Sequence, residues 1–126
     1  AVMNAAAFQV ERWVRDGTPP PKAPRIATDG DTLVRDEHGI VEGGIRTPIV
    51  DVPLATNTGT ENAGGSFCRL FGTTAPFDAA TIASLYPTAD DYVKPFRKSA
   101  DATVKAGFWL EPNAENFKAA AQLSFD

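Results

Sequence analysis

One histidine, one cysteine and four serines are the groups in this chain that nucleophilic or general-base chemistry could use. Such chemistry needs a nucleophile held against a base, and a third group that orients the base. His38 lies in Asp36-Glu37-His38-Gly39, a turn sequence closed by glycine, and reads as an exposed turn residue. Ser66, Ser84, Ser99 and Ser124 all stand outside a Gly-x-Ser-x-Gly elbow. Gly64-Gly65-Ser66 lacks the lysine of a phosphate loop, and no helical pattern follows it at once. A single cysteine, Cys68, cannot form an internal disulfide, and no Cys/His cluster suits zinc. No catalytic residue, cofactor site or metal site is therefore assigned. The candidates left are charges set among apolar residues. Arg46 and Asp51 are read as substrate-pocket residues. Arg69, flanked by Phe67, Cys68, Leu70 and Phe71, calls for a carboxylate partner, and Asp51 is the nearest.

The segment that must position Arg46 and Asp51 runs from Gly43 to Thr56. Gly43 and Gly44 permit positive φ, and Pro48 and Pro53 push Thr47 and Val52 to extended geometry. These features predict an edge strand or extended crossing segment with both faces largely apolar. In that phase Ile45, Thr47, Ile49 and Asp51 share one face and Arg46, Pro48, Val50 and Val52 the other. Arg46 and Asp51 then point apart and cannot pair.

Around this segment the chain divides into a helix, a connection and a helical layer. Ala1 to Arg15 has a helical apolar period in Val2, Met3, Ala6, Val10, Trp13 and Val14, with Gly17 and Pro19 to Pro21 as stop signals. No capping residue precedes it, so the helix is expected to continue from a longer polypeptide, and its stripe to lie open in this chain. Thr18 to Asp31 reads as an extended surface connection, and Leu33 to Arg35 with Ile40 to Val41 as a short hairpin. Thr56 to Ser66 is polar and glycine-rich, a loop or lid, and Phe67 to Phe71 a short buried strand or turn with Cys68 as an apolar filler. Asp78 caps a helix to Tyr86. Thr88 with Asp91 starts a second helix that runs to Gly107 and is kinked or split at Pro95, and Asn113 caps a third with Phe117, Ala120, Ala121 and Leu123 inside.

The composition narrows the classes of partner. The chain has 126 residues, is 43% hydrophobic and carries a net charge of -4 from scattered charges with no basic stripe, which excludes a nucleic-acid partner. No stretch approaches the ~18 consecutive apolar residues of a membrane span, and no targeting signal is visible, so a soluble chain is expected.

Several motifs occurring in order resemble a known family. Val10 to Pro20 (Val-Glu-Arg-Trp-Val-Arg-Asp-Gly-Thr-Pro-Pro), Gly43 to Pro48 with Val50 to Pro53, Phe67 to Gly72, and Pro76-Phe77-Asp78 are similar to the C-terminal portion of a bacterial family of alpha/beta hydrolase domain-containing proteins. The similarity runs from about residue 4 to the end. It implies a core of the α/β-hydrolase type that carries nucleophile, acid and histidine in that order. It also implies that the helix at Ala1 to Arg15 follows the last core strand, so the catalytic histidine stands upstream. No residue here matches a triad position.

The expected fold is thus mixed helical and extended: the C-terminal segment of an α/β-hydrolase-type fold, and not a complete independent domain. It comprises an N-terminal helix (1–17) packing on a core supplied elsewhere, a linker (18–32), a proline-rich extended and hairpin region (33–72) and a C-terminal helical layer (73–126). The expected function is the non-catalytic part of an esterase-type serine hydrolase, its partner being the catalytic portion or a companion chain that carries it. The alternative is a stand-alone binding or scaffold module.

Overall fold

A computed structural model of the chain describes residues 1–59 and 62–123. Helix α1 (Val2–Asp16) lacks a side-chain cap at Ala1 and ends at Gly17, whose left-handed φ of 71° lets its N–H donate to the Trp13 carbonyl. The connection after it holds more order than its composition predicts. Strands β1 (Thr28–Asp29) and β2 (Thr32–Leu33) pair antiparallel across a turn at Gly30. Single bridges join Ile26 to Gly43 and Arg35 to Val41, the latter at the expected turn. There Asp36 Oδ1 accepts from the His38 and Ile40 amides, both at 2.9 Å. Gly43 cannot be replaced without strain: its φ is 77°, and a Cβ there would lie 2.3 Å from the Arg25 carbonyl oxygen.

The extended reading of Ile45 to Val52 is corrected by helix α2, Pro48–Asp51. The rule that the residue before proline is extended holds for Thr47, at φ -126° and ψ 162°. It says nothing against Pro48 itself, whose fixed φ suits the first helical position and whose missing N–H costs nothing there. Strand order resumes at β3 (Ala55–Thr58), which pairs antiparallel with β4 (Thr73–Pro76) from Ala55 opposite Pro76 to Thr58 opposite Thr73. The loop between them is no buried strand. Cys68–Leu70 form a 3₁₀ turn that exposes Phe67 (69%), Leu70 (76%) and Phe71 (55%), and Cys68 is exposed too.

The helical layer follows its capping signals. Asp78 Oδ1 accepts from the Thr81 amide at 2.7 Å at the start of α3 (Ala79–Leu85). Thr88 and Asp91 form a reciprocal capping box on α4 (Ala89–Lys105). Pro95 does not split α4, which runs through it without a break. Both Pro95 and Asp91, whose carbonyl loses its helical donor, are exposed, so water can serve that carbonyl. Helix α5 (Glu111–Leu123) starts two residues before the expected cap, with Pro112 in its first turn. Ala121 is buried and Phe117 half-buried, whereas Ala120 and Leu123 stay exposed.

Two clusters form the core. Val52, Tyr92, Val93, Phe96 and Ala121 make one, with α2 and α5 lying against α4; Ala100, Trp109 and Ala114 make the other. Phe117 packs on both, stacked on Trp109 with ring centroids 4.8 Å apart. Helix α1 reaches this core through Val2, Ala5 and Gln9, and the Gln9 amide lies 3.4 Å from the Gly107 carbonyl. The rest of its apolar stripe turns away from the core: Met3 is 79% exposed, Val10 52%, Trp13 53% and Val14 83%. Phe108, Trp109 and α5 do not cover it. Among the described residues no helix is long and apolar enough to cross a membrane.

Candidate functional site

Arg46 and Asp51 meet, contrary to the strand-phase expectation. The α2 turn folds Asp51 back beside Arg46, whose Nε donates to Asp51 Oδ1 at 2.6 Å. One terminal nitrogen of Arg46 donates to the Val41 carbonyl at 3.1 Å and the other to the Val50 carbonyl at 3.5 Å. Asp51 does not use Arg69: its second oxygen accepts from Ser99 Oγ at 2.7 Å, and Arg69 is exposed. A carboxylate so placed satisfies the nearer cation and leaves none for the exposed loop.

Two hydroxyls of α4 complete the arrangement. Thr103, one turn beyond Ser99, donates or shares its hydroxyl with the Arg46 carbonyl at 3.1 Å and the Ser99 carbonyl at 2.8 Å. The main chain at Arg46 and the side chain at Asp51 are thereby both tied to one face of α4. By sequence Ser99 is only a serine outside a nucleophile elbow, and Thr103 carries no motif. The available signal was their i, i+4 spacing beside the apolar positions Phe96 and Ala100, which marks a polar edge to the buried face.

The four side chains border an open cleft of about 260 Å³, also lined by Pro24, Ala102 and Phe108. Arg46 and Asp51 are 41% and 33% exposed there, so solvent reaches the pair. The arrangement can hold and orient a polar group. It is not a nucleophile and base, because no imidazole stands between Ser99 and Asp51. His38 is elsewhere, half-buried in its turn with its ring against Phe77 at 5.6 Å and Nε2 3.7 Å from Glu37. Among the described residues no serine or cysteine hydrogen-bonds to that ring, and no three His, Cys, Asp or Glu side chains gather as metal ligands. Ser124 lies outside the described residues.

The perturbed ionisable groups are structural. Burial, with a smaller contribution from Tyr92, pushes the Tyr86 phenol up to about 12, and its hydroxyl donates to the Pro53 carbonyl at 3.0 Å. Lys118 is raised by its hydrogen bonds to Asp101 and Glu115 and joins α5 to α4.

The described residues form mixed helices and two small antiparallel sheets beside a polar cleft, consistent with part of an alpha/beta hydrolase domain. Residues 1–119 match the alpha/beta hydrolase domain family, and the chain belongs to it. No curated protein and no solved structure matches the chain.

Proposed function

We infer that this chain is the non-catalytic C-terminal portion of a bacterial esterase-type serine hydrolase, packed on a catalytic core whose pocket it helps to shape. The observation that carries this reading is the outward stripe of α1. Its inner side is already packed through Val2, Ala5 and Gln9, yet Met3, Val10, Trp13 and Val14 form a second apolar face in solvent. A contiguous exposed face of this kind is the mark of a docking surface. Family membership supports a catalytic core as the occupant, since hydrolases of this class carry nucleophile, acid and histidine on an α/β core. Arg46 and Asp51 then stand at the pocket edge and orient substrate, while the core supplies nucleophile and oxyanion hole. The partner is that core, in the same polypeptide or a companion one.

The test is the mass of the protein as purified from its source, run beside an ester assay of this chain alone. The chain alone is expected to hydrolyse p-nitrophenyl acetate no faster than buffer. The native material is expected to contain a Gly-x-Ser-x-Gly segment, in a longer chain or a bound companion. A homogeneous 13.4 kDa monomer, or turnover abolished by changing one serine of this chain, would overturn the reading.

A further inference from the structure

We propose that the cleft at Arg46 is a binding site for a small carboxylate with an apolar body. A guanidinium has five N–H donors in a fixed plane. Asp51, Val41 and Val50 take three of them, leaving one donor on each terminal nitrogen without a partner among the described residues. The side chain is already immobilised by those acceptors, so a ligand loses little of the entropy that ordering a free arginine would cost. Two donors left on one guanidinium suit a carboxylate, whose two anionic oxygens accept charge-assisted hydrogen bonds.

The rest of the cleft sets what the carboxylate is attached to. Pro24, Ala102, Ala106 and Phe108 supply an apolar wall. The volume of about 260 Å³ admits a body the size of one aromatic ring. Asp51 argues against a dianion such as phosphate: its carboxylate lies beside the guanidinium, so the pair carries no net charge with which to hold two negative ones. The same neutrality makes the expected affinity modest, with a dissociation constant on the order of millimolar. This site does not depend on α1 docking to a catalytic core.

The probe is sodium benzoate, titrated into the ¹⁵N-labelled chain at constant ionic strength, with benzyl alcohol as its neutral counterpart. Saturable amide shifts at Gly44, Arg46, Ser99 and Ala102 are expected with benzoate and not with benzyl alcohol. Arg46→Gln should weaken binding at least about tenfold, the loss of a charge-assisted pair. Ala102→Leu covers the case in which Arg46→Gln fails to fold: Ala102 is exposed on α4, and leucine is well tolerated in a helix. It narrows the cleft while leaving the Arg46 and Asp51 side chains unaltered, and should weaken binding by a similar factor. Absence of saturable shifts, equal shifts from benzyl alcohol, or unchanged benzoate binding by Ala102→Leu would each overturn the proposal.

Discussion

Arg46 Nε and Asp51 Oδ1 lie 2.6 Å apart across the single helical turn that begins at Pro48. The pair turns a proline-bearing segment into a fixed ledge on α4, because Ser99 holds the other oxygen of Asp51 and Thr103 holds the carbonyl of Arg46. An exposed pair of this kind contributes about 0.2–1 kcal/mol by itself, and a hydrogen bond to a charged group adds about 1.5–3 kcal/mol when well sheltered.

Asp51→Ala is therefore expected to destabilise the chain by about 1–3 kcal/mol in urea unfolding, the two contributions being partly screened. Arg69→Ala, at an exposed position with no ion-pair partner among the described residues, is expected to stay within about 0.5 kcal/mol of the parent. A loss at Arg69 as large as that at Asp51, with the two losses coupled in a double-mutant cycle, would restore the pairing that the sequence suggested.

Trp109 is 2% exposed and stacks on Phe117, between the core cluster and α1. Its indole N–H is buried without a hydrogen-bond partner among the described residues, so the ring is held by packing alone. Trp109→Ala should cost about 3–5 kcal/mol and leave a cavity, which differential scanning calorimetry would register. A loss below about 1 kcal/mol would show that the site collapses around the smaller residue.

Tyr86 gives the fold a pH dependence at the alkaline end. Its pKa rises from about 10 in the unfolded chain to about 12 in the fold, chiefly by burial. A raised folded pKa contributes stability that is whole below pH ~10 and is lost as the pH climbs toward 12. Lys118, also raised, acts in the same direction. Since Tyr86 is partly exposed, its share is on the order of 1 kcal/mol after allowance for screening. Tyr86→Phe should flatten the fall in stability over this window; an unchanged slope would assign the fall to other groups.

What the sequence revealed follows the range of the interactions concerned. Capping by Asp78 and Thr88 and termination by Gly17 and Gly107 act within a few residues, and all were legible. The β3–β4 pairing was not. Its strands are short and threonine-rich, and its closure rests on Gly72, where a Cβ would lie 2.0 Å from the Thr58 carbonyl oxygen across the hairpin. The α2 turn was misread because proline favours extension before it and helix after it, and the choice is made by packing of Pro48, which is fully buried. Arg46 and Asp51 could be named as candidates from their apolar setting. Their meeting could not, since it depends on that turn. Ser99, 48 residues from Asp51, joins them only through the packing of α2 on α4.

The family resemblance was legible from ordered motifs, and the match over residues 1–119 bears it out at the level of the alpha/beta hydrolase domain. Periodicity also separated an apolar stripe on α1 but did not divide it: Val2 joins the core, while Met3, Val10, Trp13 and Val14 remain outside. Which members of a wide apolar stripe meet the chain's own core depends on tertiary placement that spacing does not encode.

Photocrosslinking from position 13 tests the docking of α1 most directly. Trp13 is 53% exposed on the outward stripe, so a benzoylphenylalanine in its place would react with whatever lies on that face in the cell. A crosslinked peptide from an α/β-hydrolase core, belonging to the polypeptide that bears the Gly-x-Ser-x-Gly segment, is the expected result. A chain that crosslinks only to solvent or to a second copy of itself would contradict the docking of α1 on a catalytic core.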